Sequence, residues 1–480
     1  MHRDKRDLSS YSIDFLARLG EKYTRKRDAG CAIVNKNGES EMISQKMKPW
    51  GNYPEPAQRV QTVGTNEDIV THLDQSKSVG HMTLFVGNGR SYGDSCLAQS
   101  GNAVRPSGLN QIIAADWDKG IIKAQAGILF SELLKIIVPK GWFFEVTPGS
   151  KFVTLGGAIA NDVHGKNHHV QGTFGSCISR LALYRSSGET IECSRDTNAD
   201  LFATTISGLG LTGVILWAEI NLKPIASNAI ETMSEKFETL EEFVEVSEKM
   251  EQDFEYVLAW IDYRSKDVNK CRGVVFAGRH SDKSVKEPSS RKFSVSITPP
   301  ISLINNFSTW ILNGLYYKIH ARRKALEIVH YDKFFYPLDK IQHWNRVYGR
   351  KGFQQYQCVI PRNVAIHIIK EMLRLINTAG TGSFLSALKI FGDNKSPGLN
   401  SFPVEGLSLA IDFPQTSRLS ILFPQLDELV HNSGGRLYPA KDAHMRGADF
   451  RRAYAQWEEL EASRDPALMS RFWYKVLEKR

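Results

Sequence analysis

Val86-Gly87-Asn88-Gly89-Arg90-Ser91-Tyr92-Gly93-Asp94-Ser95 is the stretch on which the fold of this chain turns. It follows Thr83-Leu84-Phe85-Val86, an apolar run that reads as a strand. Glycines and a serine directly after a strand can turn several backbone N–H groups inward, making a concavity that holds a pyrophosphate without a helix. A plain hairpin loop would carry the same letters. The weight comes from a second glycine-rich region: Thr147-Pro148-Gly149, Gly156-Gly157-Ala158-Ile159-Ala160 and His164-Gly165-Lys166-Asn167-His168-His169. A third stretch, Gly208-Leu209-Gly210-Leu211-Thr212-Gly213, matches G-x-G-x-x-G letter for letter. The dinucleotide motif needs a strand before it and a helix after it. Here helix-compatible Asp200 to Thr205 comes first and the apolar strand Val214 to Leu222 follows, so these glycines are expected to serve a buried turn.

Around these loops the chain alternates short elements. Gly120 to Ala124 reads as a strand and Leu129 to Val138 as a helix; past Pro224 the pattern changes to longer charged helices such as Glu238 to Lys249. A domain boundary is expected there. The division is a polar extension over 1–45 with a short helix near Ile13 to Leu19, a cofactor domain over 46–226, a substrate domain over 227–433, and a return to the cofactor domain over 434–480. At 480 residues the chain is long enough for such a division.

Composition excludes little beyond extremes. Lys and Arg outnumber Asp and Glu by 61 to 52, an excess that permits a phosphate-bearing substrate or an anionic membrane and proves neither. Cys31, Cys96, Cys177, Cys193, Cys271 and Cys358 make no C-x-x-C pair, which speaks against a structural zinc and for a reduced cytoplasmic protein. The first 30 residues lack the apolar core of a secretory signal. Between Phe293 and Tyr317 there is no charged residue, yet Pro299-Pro300 and several asparagines argue against a membrane span. Ile304, Phe307, Ile311 and Leu315 instead mark an amphipathic helix within Ile301 to Lys324, closed by Lys318, Arg322, Arg323 and Lys324. Such a helix either packs on its own domain or touches lipid.

Taken together, the motifs resemble the FAD-binding domain of the vanillyl-alcohol-oxidase/p-cresol-methylhydroxylase superfamily, and within it the decaprenylphosphoryl-β-D-ribose 2-oxidase family. The resemblance is carried by GRSYGD at 89–94, GGAIANDVHGKNHH at 156–169, GLTGVI at 210–215, AWID at 259–262, FFYPLD at 334–339, QYQCVIP at 355–361, LKIFG at 388–392, IDFP at 411–414 and GGRLYPAKD at 434–442. It implies an α+β fold: a two-lobed FAD-binding domain of the p-cresol-methylhydroxylase type, and a substrate domain built on an antiparallel sheet with flanking helices. By position, Gly87, Gly89, Arg90, Ser91, Tyr92 and Gly93 would hold the pyrophosphate and ribityl region of FAD. Pro148, Gly149, Gly157, Ala160, Asn161, Gly165, Asn167, His168, Gly172, Ile215, Tyr438 and Lys441 would line the rest. Several superfamily relatives have a histidine where Arg90 stands, and it attaches flavin covalently; arginine cannot form that bond, so the resemblance implies non-covalent FAD.

Oxidising a secondary alcohol removes a hydride and a hydroxyl proton, and fixed cations near the developing negative charge lower the barrier. Lys441 matches the family lysine that reaches flavin and substrate; it and His164 are expected to be catalytic. Lys166, Trp260, Gln355, Gln357, Lys389, Phe391 and Ser408 are expected to bind substrate. Histidines four apart could ligate zinc on a helix, but the glycines around His164, His168 and His169 favour a loop, and no metal is expected. Phe335, Ser408 and Ala410 depart from relatives that have tyrosine, asparagine and cysteine there, which bears on the pocket wall rather than on the flavin machinery. The reaction implied is oxidation of a sugar hydroxyl, at the 2-position of a polyprenylphosphoryl ribose, as one half of an epimerisation supplying cell-envelope glycan. A separate NAD(P)H-dependent short-chain reductase would take the keto sugar. The alternatives are a soluble aldonolactone or sugar-alcohol oxidase, and a non-catalytic flavoprotein scaffold. A nucleic-acid partner is not expected; peripheral contact with the inner face of the membrane is the sharper reading of the Ile301 to Lys324 segment.

Overall fold

The computed structural model describes residues 44–478 except 56, 265–266, 268, 289–292 and 322–325. The helix expected near Ile13 to Leu19 and the basic run Arg322-Arg323-Lys324 therefore lie outside the described residues. The fold is α+β and is built on sheets of three, six and eight strands, with a small two-stranded ribbon.

The first sheet joins β1 (Ser44–Met47), β2 (Gln58–Thr62) and β3 (Asn102–Arg105), with β2 and β3 parallel. The expected strand at Thr83 to Val86 is not a full ladder. It is extended chain held by single bridges, Thr83 to Leu468 and Phe85 to Val104, and so it ties the C-terminal segment to this lobe. The second sheet runs β4 (Ile112–Asp116), β5 (Ile121–Gln125), β9 (Val214–Pro224), β7 (Ile178–Tyr184) and β8 (Thr190–Ser194), with β6 (Trp142–Phe144) pairing β9 at its far end. Helix Phe130–Ile137 buries Phe130, Leu133, Leu134 and Ile137 against it, the one-sided stripe its spacing predicts. The GLGLTG turn precedes β9 as expected, and a Cβ on Gly208 would stand 2.2 Å from the Thr204 carbonyl oxygen.

The third sheet is the platform. Its strands are β10 (Ala229–Phe237), β11 (Tyr256–Asp262), β12 (Arg272–His280), β14 (Glu327–His330), β16 (Phe353–Pro361), β17 (Ser386–Phe391), β18 (Gly406–Pro414) and β19 (Arg436–Leu437). They lie in the order β14-β10-β12-β11-β17-β18-β16-β19, antiparallel throughout, while β13 (Phe293–Ser294) and β15 (Ile341–Gln342) form the ribbon. Successive side chains of a strand point to opposite faces, and this sheet sorts them by chemistry. Tyr356, Cys358, Leu388, Leu409 and Ile411 join a core roofed by helices Leu240–Glu251, Ala365–Ala379 and Leu419–Asn432. Gln355, Gln357, Lys389, Ser408, Ala410 and Asp412 occupy the alternate positions and line a cavity.

Candidate active site

Between the three- and six-stranded sheets and the polar face of the platform lies a cavity of about 950 Å³. Register assembles its platform wall: Gln355 pairs with Asp412, Gln357 with Ala410, Ser408 with Lys389, and Ala387 with Trp260. Residues scattered over more than 150 positions of sequence thus become neighbours on one face.

The opposite wall is the glycine-rich cradle. Gly87, Gly89, Arg90, Ser91 and Tyr92 line the cavity, as do Pro148, Gly149, Gly157, Ala160, Asn161, Gly165 and Ile215. Gly89 takes φ +63°, a turn open to glycine at no steric cost. The loop is clamped to the C-terminal return: the Tyr92 N–H donates to the Ala440 carbonyl at 2.9 Å, and a Cβ on Gly93 would stand 1.6 Å from the Asp442 carbonyl oxygen. That clamp is what seats Lys441, whose Nζ lies 3.8 Å from the centre of the Tyr92 ring. Tyr438 lines the cavity nearby, its hydroxyl donating to the Asn161 carbonyl at 3.1 Å.

The cradle fits an anionic cofactor. Arg90 stacks over Trp50 at 4.1 Å, and the cavity also receives Arg105, a residue that no motif singled out. Arg90 Nε, Arg105 Nε and Ser95 Oγ are buried without a hydrogen-bond partner among the described residues. Native interiors rarely leave such donors unpaired, and burial lowers both guanidinium pKa values, which a bound phosphate would reverse. These are the groups that a pyrophosphate would satisfy.

Cations crowd the cavity: Lys166, Lys389 and Lys441 all line it. Burial, with Lys389 nearby, brings Lys166 down to about 7, and burial brings Lys389 down to about 8. Lys441 is brought to about 8 by burial, with Asp412 opposing and Lys389 assisting. His164 is held well below the usual histidine range by burial and by the Lys389 charge, so it is neutral. Its Nε2 faces Gln357 Nε2 at 3.1 Å and its Nδ1 faces Lys389 Nζ at 3.5 Å. Lys166 donates to the Phe334 carbonyl, with Nζ 4.3 Å from that ring's centre. Trp260 Nε1 donates to the Phe384 carbonyl at 2.8 Å, which turns the indole edge inward and leaves its ring against Tyr316 at 4.7 Å.

Some expected residues stand behind the wall rather than on it. Gly93 is taken up by the contact with Asp442. Asn167 donates to the Glu145 carbonyl at 2.9 Å and to Glu255 at 3.1 Å, holding the HGKNHH loop from behind. His168 packs on Phe391 at 4.6 Å, with burial drawing its pKa down to about 4; together they buttress His164, which lies 4.9 Å from the Phe391 ring. Gly172 turns the chain beyond them at φ +70°. The residues that sequence reading missed are Arg105 and Asp412. Asp412 lies inside the quoted IDFP block, yet nothing in a single sequence says that its strand pairs with Gln355.

The segment Ile301 to Lys324 gives a shorter helix than its spacing predicts, Asn306–His320, started by the Asn305 side chain accepting from the Phe307 and Ser308 N–H groups. Leu312, Asn313, Tyr316 and His320 look into the cavity. Of the apolar stripe, Ile304 is buried, but Phe307 is 70% exposed, and Ile311 and Leu315 are exposed with Trp310 between them. The packed-helix reading therefore fails for the stripe itself. No helix among the described residues is long and apolar enough to cross a membrane.

Comparison with known proteins agrees with the cradle. Residues 57–194 match the model of the FAD binding domain family. The chain is 30% identical over 439 residues to the decaprenylphosphoryl-beta-D-ribose oxidase of Mycolicibacterium smegmatis, covering 88% of this chain and 95% of that protein. A Streptomyces coelicolor protein of uncharacterized function is 27% identical over 362 residues, 71% of this chain and 96% of its own length. The L-gulonolactone oxidase of Scyliorhinus torazame is 27% identical over 284 residues, 56% of this chain and 61% of that enzyme.

Proposed function

The chain belongs to the decaprenylphosphoryl-β-D-ribose oxidase family and is an FAD-dependent oxidoreductase acting on the CH–OH group of a sugar; from that premise we propose that its substrate is a polyprenylphosphoryl ribose, oxidised at the 2-hydroxyl. FAD supplies the two-electron acceptor when bound. The observation that carries the reading is the joining, in one cavity, of the cofactor cradle with Lys166, Lys389 and Lys441. Cations at this density suit a sugar that carries phosphate, whereas a neutral lactone would leave them unbalanced. Gln355, Gln357 and Ser408 offer donors and acceptors to the ring hydroxyls, Trp260 offers an apolar wall, and neutral His164 positions Gln357 and Lys389, which its two ring nitrogens face. Lys441 stands where a fixed cation opposes charge developing during oxidation.

The flavin is held without a covalent bond. A guanidinium at Arg90 offers no ring nitrogen to link to the cofactor, and its role is to pair with phosphate. Acid denaturation should release all the flavin into the supernatant; colour retained in the pellet would overturn this.

The keto sugar is consumed by an NAD(P)H-dependent short-chain reductase, so that the pair of reactions epimerises a cell-envelope glycan precursor. The lipid part of the substrate brings the enzyme to the cytoplasmic face of an anionic membrane. Its contact is the outward apolar face of helix Asn306–His320, next to Lys318 and, in sequence, Arg322, Arg323 and Lys324. The inner face of the same helix lines the cavity, so the membrane and the sugar site would be one helix thickness apart.

Anaerobic reduction tests the substrate. A polyprenylphosphoryl ribose should bleach the flavin and an aldonolactone should not; the converse result would assign the chain to the lactone oxidases. Lys441→Ala should keep its flavin and lose on the order of 10²–10³-fold in reduction rate, the scale of one preorganised electrostatic group.

A further inference from the structure

Oxidation of an alcohol leaves a proton to be placed, and the cavity holds a carboxylate suited to take it. Carboxylates on the wall are Asp339, Glu327 and Asp412. Asp339 sits at the cradle end, where Ser150 Oγ and the Lys151 N–H each donate to it at 2.8 Å and Arg90 lies close. Glu327 begins the edge strand β14. Of the three, Asp412 is the one that stands in register beside Gln355, on the inner strands that also carry Gln357, Lys389 and Ser408, and it is fully buried. Gln355 Nε2 donates to Oδ1 at 2.6 Å and the Tyr348 hydroxyl lies 3.3 Å from Oδ2. The groups facing Asp412 from every side are Gln355 on β16, Tyr348 with Ser383 at 2.6 Å behind it, Tyr92 on the cradle loop and Lys441 on the return segment. A carboxylate offers about four lone-pair sites, so oxygen lone pairs stay open to a substrate hydroxyl.

We infer that Asp412 is the acceptor of the substrate hydroxyl proton, with Lys441 as its counter-cation. The inference rests on the sugar-oxidation reading and is indifferent to the prenyl chain. In the step, the O–H bond breaks and the proton passes to an Asp412 carboxylate oxygen. The O–H electron pair becomes the second bond of the carbonyl as the carbon loses its hydrogen with both electrons to the FAD-dependent oxidation. Negative charge thereby leaves Asp412 as it appears on the cofactor side, and Lys441 is released to balance it. His164 is a poorer acceptor, because its protonation would add a third positive charge beside Lys389 and Lys441. Burial, against Gln355 and Lys441, raises the Asp412 carboxyl to about 7, where a general base is best matched to neutral pH.

The sign follows directly. Asp412 must be deprotonated and Lys441 protonated, so flavin reduction should rise with pH through about 7 and fall through about 8. In the holoenzyme, Asp412→Asn should keep its flavin absorbance, lose the acid limb and slow reduction by about 10²–10⁴-fold. Tyr348→Phe, which removes one donor to the carboxylate, should move that limb to higher pH. Infrared titration without substrate should show a protonated-carboxyl stretch fading near neutrality, and the wild-type-minus-Asp412→Asn difference should isolate the Asp412 part of it from Glu251 and Asp94, whose carboxyls burial also raises, to about 7 and about 6. An Asp412→Asn enzyme that keeps the acid limb, or whose infrared titration is the same as the wild type's, would overturn the inference. If that variant does not fold, an unmoved limb in Tyr348→Phe would do so. Should polyprenylphosphoryl ribose fail to reduce the wild type, the substrate reading falls, while the infrared titration still judges Asp412.

Discussion

Helices Asn306–His320 and Ala365–Ala379 are each 15 residues long and flank the same eight-stranded sheet, yet they are built inside out relative to each other. Ala365–Ala379 buries Ala365, Ile369, Met372, Leu373 and Ile376, the stripe that an amphipathic helix turns to its core. Asn306–His320 buries Thr309 and Asn313 and leaves Phe307 and Trp310 at 70% and 66% exposure. The first is a wall of the core, and its orientation is fixed by what it covers. The second is held by Asn313 Nδ2 donating to Asp262 at 2.8 Å and by Tyr316 against Trp260, and Phe307, Trp310 and Ile311 are left uncovered among the described residues. Periodicity identifies both as helices; only packing says which way each faces.

The comparison would break if one substitution cost the same in both. Ile369→Ala removes a fully buried side chain and should cost about 2–5 kcal/mol in denaturant unfolding. Ile311→Ala removes a side chain that is 45% exposed and should stay within about 0.5 kcal/mol of wild type, helped slightly by the helix propensity of alanine. Equal losses would mean that the outward face is packed in solution.

The same contrast explains what a single sequence discloses. The cradle was legible because two glycine-rich regions occur in order and together resemble a known family, and the return of the chain to it was legible through GGRLYPAKD. Lys441, Lys389, Gln355 and Gln357 could be named only through the family resemblance of the blocks that contain them, and all line the cavity. Asp412 and Arg105 could not, since their importance comes from strand register and from the position of β3 beside the cradle. Thr83 to Val86 read as a strand because its residues favour one, but its partners Leu468 and Val104 meet it through single bridges only. Local preference names the element, and distant chain decides whether a ladder forms.

A smaller effect sharpens the comparison by attacking the polar hold. Asn313→Leu deletes the bond to Asp262, which keeps its ion pair with Arg272 at 2.7 Å. Because one buried partner is lost, the cost should be about 1–3 kcal/mol. It should appear as faster amide exchange within Asn306–His320, with the exchange of Ala365–Ala379 unchanged. Uniform acceleration in both helices would make Asn313 a general stability residue rather than the anchor of a roof.

The least of the expected effects concerns charge at the end of the outward helix. If the exposed stripe meets an anionic membrane, each basic residue that follows it in sequence contributes about 1 kcal/mol of attraction near the surface, roughly fivefold in partition. Arg322→Gln should therefore weaken sedimentation with vesicles of anionic lipid by about that factor, and leave weak binding to neutral vesicles unaltered. Salt should erase the difference between variant and wild type, because screening removes the electrostatic part and spares the apolar part. Phe307→Ser in the same assay should weaken binding to both kinds of vesicle, since it removes apolar contact and no charge. Anionic binding that ignores Arg322 and Phe307 alike would leave the stripe without a membrane partner, and the inverted helix would then have to be covered by protein.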